Sequence, residues 1–143
     1  ARGFGTLGIS SRALELVRQG MDRVTNNPRG TAYRARIHEK GMEMSGKTGT
    51  SQVRRISQAE RDTNILKNHE RPWGERDHAL FVGFAPSDNP RYSAAVVVEH
   101  GGGGSKVAAP IVRDLLVATQ KRDPAHNRSA PEGSRHRSES ENI

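Results

Sequence analysis

The chain has 143 residues, with 23 Lys+Arg against 16 Asp+Glu for a formal charge of +7, and 32% of it is hydrophobic. No stretch approaches the roughly 18–20 apolar residues of a membrane span, the N-terminus lacks the apolar core of a signal peptide, and the lack of Cys excludes disulfides and thiolate metal sites. So small an apolar share over about one domain's length reads as a fragment or a tailed domain, and a start at Ala1 instead of Met as a processed or truncated product.

In chain order, Gly3-Phe4-Gly5-Thr6-Leu7-Gly8 spells the GxGxxG of a dinucleotide-binding turn. Only Ala1 and Arg2 precede it, where such a turn needs a strand, so it reads as a glycine-rich approach to a helix. Leu14, Val17, Met21 and Val24 form a helical stripe that predicts a helix from about Ser11 to Val24, capped by Ser10 or Ser11. Asn26-Asn27-Pro28-Arg29-Gly30 supplies a turn, and Thr31 to Ile37 a short helix. Met42, Met44, Ser51 and Val53 switch to period two and predict a strand from about Met44 to Arg55. Ile56 to Asp77 exceeds ordinary loop lengths and reads as a functional flap or an irregular insertion.

His78 to Ala85 and Tyr92 to Glu99, joined by Pro86-Ser87-Asp88-Asn89-Pro90-Arg91, predict an antiparallel hairpin. Gly101 to Gly104 ends the second strand in a turn, and Val107, Ala108, Ile111, Val112, Leu115 and Leu116 make a wide apolar helical face ending near Gln120. The composition then shifts to Pro, Ser, Arg, Glu and His, so residues 1–120 are read as the folded part and 121–143 as a disordered tail. The class is α+β: one antiparallel sheet covered by helices, with no internal repeat.

Among candidate sites, the six histidines show no HExxH spacing and no close acidic partners, so no metal is expected. Arg34, Arg36 and Lys40, or Arg54 and Arg55, could meet phosphates, but aromatic residues are scarce and no recognition motif accompanies the charge. No nucleic acid is therefore expected as a partner. Ser45-Gly46-Lys47-Thr48-Gly49-Thr50-Ser51 carries the chemistry. An ammonium and hydroxyls beside a glycine on a strand make an anion-recognising edge, and Gly49 lets a substrate lie against the backbone. On an open edge an extended peptide can add as a further strand, and a backbone N–H near Thr50 can face an oxyanion.

Lys47-Thr48-Gly49 is the K-T-G element of penicillin-binding proteins and serine β-lactamases. With Gly30-Thr31-Ala32, Gly46 to Val53, Arg76 to Pro86 and Val97 to Ser105, it makes the stretch from about Leu14 to Gln120 resemble the end of the transpeptidase domain in the penicillin-binding protein 2 family, class B D,D-transpeptidases of cell elongation. The resemblance implies a transpeptidase-type fold and catalytic roles for Lys47 and Thr50. Lys47 would hold the hydroxyl network and attract the substrate or penicillin carboxylate, with Thr48 and Gly49 lining the substrate edge. Thr50 would bind the carboxylate and supply an oxyanion N–H. Asp77 and His78 would open the neighbouring strand in a structural role, and Ile56 to Arg76 would lie near the cleft. The implied partners are peptidoglycan stem peptides, β-lactams and elongation-complex membrane proteins, on the periplasmic side of the inner membrane as part of an anchored parent. No cofactor is implied.

The chain departs from that pattern in having no S-x-x-K, so it holds no nucleophile. Ser87-Asp88-Asn89 and Ser140-Glu141-Asn142 spell S-x-N, but both follow K-T-G, the first in a turn and the second in the tail. The chain alone is thus expected to be inactive. The rival reading is a non-enzymatic basic module or gene remnant that contacts anionic polymers. If the upstream part of the domain is missing, an apolar face should stand exposed.

Overall fold

In the computed structural model, which describes residues 8–55, 58, 62 and 66–125, helix α1 (Ser11–Asn26) starts where the Ser10 hydroxyl accepts from the Ala13 N–H at 3.2 Å. The glycine motif before Gly8, most of the stretch from 56 to 65 and the predicted tail beyond 125 lie outside the described residues. The helix runs to Asn26 instead of Val24, although Thr and Asn are weak helix formers. Tertiary bonds hold the extra residues: Thr25 Oγ1 and Asn26 Nδ2 both donate to the Met44 carbonyl, at 2.6 and 3.1 Å. Asn27 is extended, as the residue before a proline must be, and the chain turns. The predicted short helix is a 3-10 turn, Tyr33–Ala35.

Strands β1 (Ser45–Ser51), β2 (His78–Ala85) and β3 (Tyr92–Val98) form an antiparallel sheet in that order. β1 is shorter than predicted at both ends. It stops at Ser51 because Ser51 pairs with His78, the first residue of β2, so the ladder has no further partner. The hairpin follows the expected limits to within a residue.

Helix α2 (Ala108–Arg122) packs on β2 and β3. On that face Ala79, Phe81 and Ala85 are buried, and Val112, Leu116, Ala108 and Ala109 meet them from the helix, with Ala32, Ala35, Ile37 and Met44 closing the core. The alanines let the layers approach closely, so one large ring, Phe81, fills the middle. Alternation along β2 and β3 turns Val82 and Val97 to the opposite face, where they are 47% and 61% exposed. That face thus presents exposed apolar side chains. The helical stripes need correcting on the same ground. Leu14 and Val17 stand exposed because α1 meets β1 through its C-terminal turns, and Ile111 and Leu115 flank the narrower stripe that α2 buries.

α2 ends at Arg122, past Gln120, with Lys121 and Arg122 favourably placed at its negative end. Asp123 follows in the left-handed region, φ 40°, and its carboxylate takes bonds from the Tyr92 hydroxyl and from Arg91 at 2.8 Å. The final helix is thereby tied to the start of β3.

Glycines distinguish the packed from the open parts. A Cβ on Gly46 would lie 2.3 Å from the Phe81 ring and 2.7 Å from the Val82 carbonyl, whereas one on Gly20 in α1 would meet nothing within 4 Å. Gly46→Ala should therefore cost about 1–3 kcal/mol by overpacking, and Gly20→Ala should stabilise by about 0.5–1 kcal/mol. Urea unfolding of the two variants checks both signs.

Candidate functional site: the open edge of strand β1

β1 pairs only with β2 among the described residues, so its other side is an open edge. The register sets Lys47 opposite Val82 and Gly49 opposite Leu80, on the face turned from α2, while Thr48 and Thr50 share the face of Phe81 and Ala79. Lys47 and Thr50 are exposed; Thr48 and Gly49 are half-buried. The Lys47 ammonium curls round the edge and donates to the Thr48 carbonyl at 2.7 Å. That carbonyl therefore points away from β2, and because peptide groups alternate along a strand, the N–H and C=O of Thr50 point the same way. The four predicted residues thus lie together, with two hydroxyls, one ammonium and outward-facing peptide groups along one rim.

Several further residues build this rim. The Thr31 hydroxyl lies 3.3 Å from the Thr48 hydroxyl, so the Gly30-Thr31-Ala32 segment reaches the edge. On the far side of the ladder, Gly104 presses on the sheet backbone: a Cβ there would lie 2.2 Å from the Leu80 carbonyl and 2.4 Å from that of Gly49. The Gly101–Gly104 run is a strand-to-helix turn, with Gly101 N–H bonded to Val98, Gly102 N–H to Asp77, and the Gly104 carbonyl accepting from Ala109.

The start of β2 is anchored by a polar knot. Arg71, only 7% exposed, faces the Asp77 carboxylate at 3.5 Å and donates to the Leu66 carbonyl. The Asp77 N–H donates to Asn68 and its carbonyl accepts from Gly102. His78 Nδ1 accepts from the His100 N–H at 2.9 Å, which puts the His78 proton on Nε2 when the ring is neutral. His100 Nδ1 faces the Arg76 carbonyl at 2.9 Å and so carries the proton itself. His100 adopts φ 53°, and its ring packs between Trp73 and His78 at centroid distances of 4.3 and 4.7 Å.

Asp77 and His78 thus open β2 beside the end of β1, in the place expected of them. Arg71 carried no signal in the sequence, whereas His100, Gly104 and Thr31 stood within the segments that carry the family resemblance but without these roles. Ser87 of the first S-x-N lies by the opposite end of β1: its hydroxyl donates to the Glu43 carbonyl and accepts from Ser45, both within 3.0 Å. The second S-x-N lies outside the described residues. Among the described residues no group of three His, Asp or Glu is placed to hold a metal.

A Lys-Thr-Gly edge strand followed by an antiparallel hairpin and a packed terminal helix defines the penicillin-binding class of serine acyltransferase folds. The chain belongs to the family described as the penicillin binding protein transpeptidase domain, whose profile it matches over residues 4–117. The peptidoglycan D,D-transpeptidase MrdA of Salmonella typhimurium is 40% identical over 101 residues, 71% of this chain and 15% of that protein. That of Haemophilus influenzae is 36% identical over 105 residues, 73% of this chain and 15% of that protein. The solved complex between PBP2 and MreC from Helicobacter pylori shares 29% identity at a TM-score of 0.62, over 80% of this chain and 19% of that one. Pseudomonas aeruginosa PBP2 in complex with WCK 5153 shares 35% identity at 0.55, over 78% and 20%. The chain spans about 15% of the length of the curated relatives it matches.

Asp77→Ala should strand the Arg71 guanidinium, whose side chain is 6% exposed, and destabilise by about 3–5 kcal/mol. The double variant Arg71→Met with Asp77→Ala should lose clearly less. A denaturant double-mutant cycle measures the difference.

Proposed function

We propose that this chain is the K-T-G-bearing C-terminal part of a penicillin-binding protein 2 type transpeptidase, and that the whole enzyme cross-links peptidoglycan stem peptides by serine acyl transfer. What chiefly supports the reading is the open edge of β1, which offers the outward peptide groups of Thr48 and Thr50 beside the Lys47 ammonium. A stem peptide ending in D-Ala-D-Ala has the extended backbone and free carboxylate that such an edge can take, by strand addition and charge pairing.

In this mechanism a serine supplied by the rest of the domain attacks the penultimate D-Ala carbonyl. The Thr50 N–H receives the developing oxyanion, and Lys47 with the Thr48 and Thr50 hydroxyls, which share one face of the strand, holds the terminal carboxylate. The ammonium exchanges its bond to the Thr48 carbonyl for the incoming charge. Terminal D-Ala leaves, and the acyl group passes to an amine of a neighbouring strand. β-Lactams, which carry a carboxylate next to a reactive amide, acylate the same serine. Thr48 and Gly49 line the edge, and Asp77 and His78 fix the adjoining strand. No helix among the described residues is long and apolar enough to cross a membrane. The whole enzyme would be attached on the periplasmic side of the inner membrane and would meet elongation-complex proteins there.

In the intact transpeptidase that contains this segment, Lys47→Ala should slow acylation by fluorescent penicillin by at least about 100-fold, while retention on an anionic resin changes little. The reverse pattern would favour a polyanion-binding module. The 143-residue chain incubated with benzylpenicillin should show no covalent mass increase, since it contains no S-x-x-K; a stable adduct on intact-mass spectrometry would overturn that expectation.

A further inference from the structure

We propose that Thr31 is a positioning residue for the anion-binding edge, acting through the hydroxyl of Thr48. This rests on the reading of Lys47–Thr50 as the edge that takes the substrate carboxylate. The two hydroxyl oxygens lie 3.3 Å apart, and geometry alone allows either to donate. A carboxylate at the rim resolves the direction. It can only accept, so Thr48 gives its single proton outward and must receive one from Thr31 on its remaining lone pairs. The result is a relay of hydrogen bonds, Thr31 to Thr48 to carboxylate, in which each bond polarises the next. Without Thr31, the Thr48 hydroxyl is free to turn among its side-chain rotamers and offers its proton to the rim only part of the time.

The placement of Thr31 is fixed by its neighbours. Gly30 lies against the end of α1 so closely that a Cβ would fall 2.3 Å from the carbonyls of Arg23 and Val24. On the other side, the Ala32 N–H bonds to the Val24 carbonyl at 2.9 Å and Ala32 is 1% exposed. The same helix end grips Met44 through Thr25 and Asn26, and Met44 leads directly into β1. Thr31 and Thr48 are therefore both referred to one rigid element. Thr31 itself is exposed and has little packing to lose, so its fixed position beside Thr48 is not explained by a role in the core.

The test uses the intact transpeptidase that contains this segment, with benzylpenicillin acylation resolved into non-covalent affinity and acylation rate. Thr31→Val should lower the second-order rate constant about fivefold, the scale of one hydrogen bond, chiefly through affinity, and Thr31→Ser should restore it to within about twofold. Thr31→Val combined with Thr48→Val should be no slower than Thr48→Val alone, because the two act in series. Thr31→Ala serves in the same cycle if the Val variant shows a lowered melting temperature. Wild-type acylation by Thr31→Val, additive losses in the double variant, or a Ser variant that folds normally yet stays slow would each overturn the proposal. Lys47→Ala is run alongside: if it acylates normally, the reading of the edge fails with it, whereas a dead Lys47→Ala beside an unimpaired Thr31→Val removes only the role of Thr31.

Discussion

The carbonyl of Met44 is the fixed point from which the open edge is laid out. Met44 is fully buried, and a buried carbonyl must find a donor. It receives both Thr25 and Asn26, residues that add little to a helix by themselves. The last turn of α1, the Gly30–Ala32 turn and the first residue of β1 are thereby held in one frame. Everything that reaches the rim of β1 from the N-terminal side, the Thr31 hydroxyl included, inherits its position from this junction. An isolated helix would fray at this end; here the strand it serves keeps it wound.

From the other side the edge is held by backbone contact more than by side chains. The Phe81 ring lies over Gly46 and Gly83, and Gly104 lies on the peptide groups of Gly49 and Leu80. The polar knot of Arg71, Asp77, His78 and His100 then fixes where β2 begins, and so where the β1 ladder stops. Buried charge is a poor source of net stability, but a guanidinium paired with a carboxylate and a carbonyl has few ways to be satisfied and so specifies one loop path. Supports of this kind leave the outer rim free. Large side chains packed around Lys47 and Thr50 would steady the strand equally well and would close it to an extended peptide.

Much of the architecture was legible in the sequence because its signals are local. The hairpin came from two runs rich in Val, Phe and Ala flanking a turn with two prolines, and α1 and α2 from their apolar spacing. The K-T-G edge was found because its chemistry is concentrated in consecutive residues. A helical stripe, however, states which face is apolar and not what covers it. Leu14, Val17, Ile111 and Leu115 were therefore indistinguishable from Val112 and Leu116, which α2 buries. The end of β1 depended on a partner strand many residues on, and period two through Val53 gave no hint of it. The pairing of Arg71 with Asp77 and the approach of Thr31 to Thr48 are products of tertiary folding, for which single-sequence patterns carry no mark.

The glycines of β1 have a consequence for how the strand finds its partner. Ser45–Ser51 contains no large aliphatic side chain, and strands of that kind are prone to slip, since no apolar pattern penalises the shift. A slip by an odd number of residues turns every side chain to the wrong face, so only even slips compete. Gly46 and Gly49 stand an odd number of positions apart, one on each face, beneath Phe81 and beside Leu80. No even slip within the strand returns a glycine to both places, and any such slip drives a Cβ into the ring or the neighbouring strand. The spacing of two residues without side chains thus acts as a key, giving a polar edge strand the single alignment that apolar strands obtain from their cores.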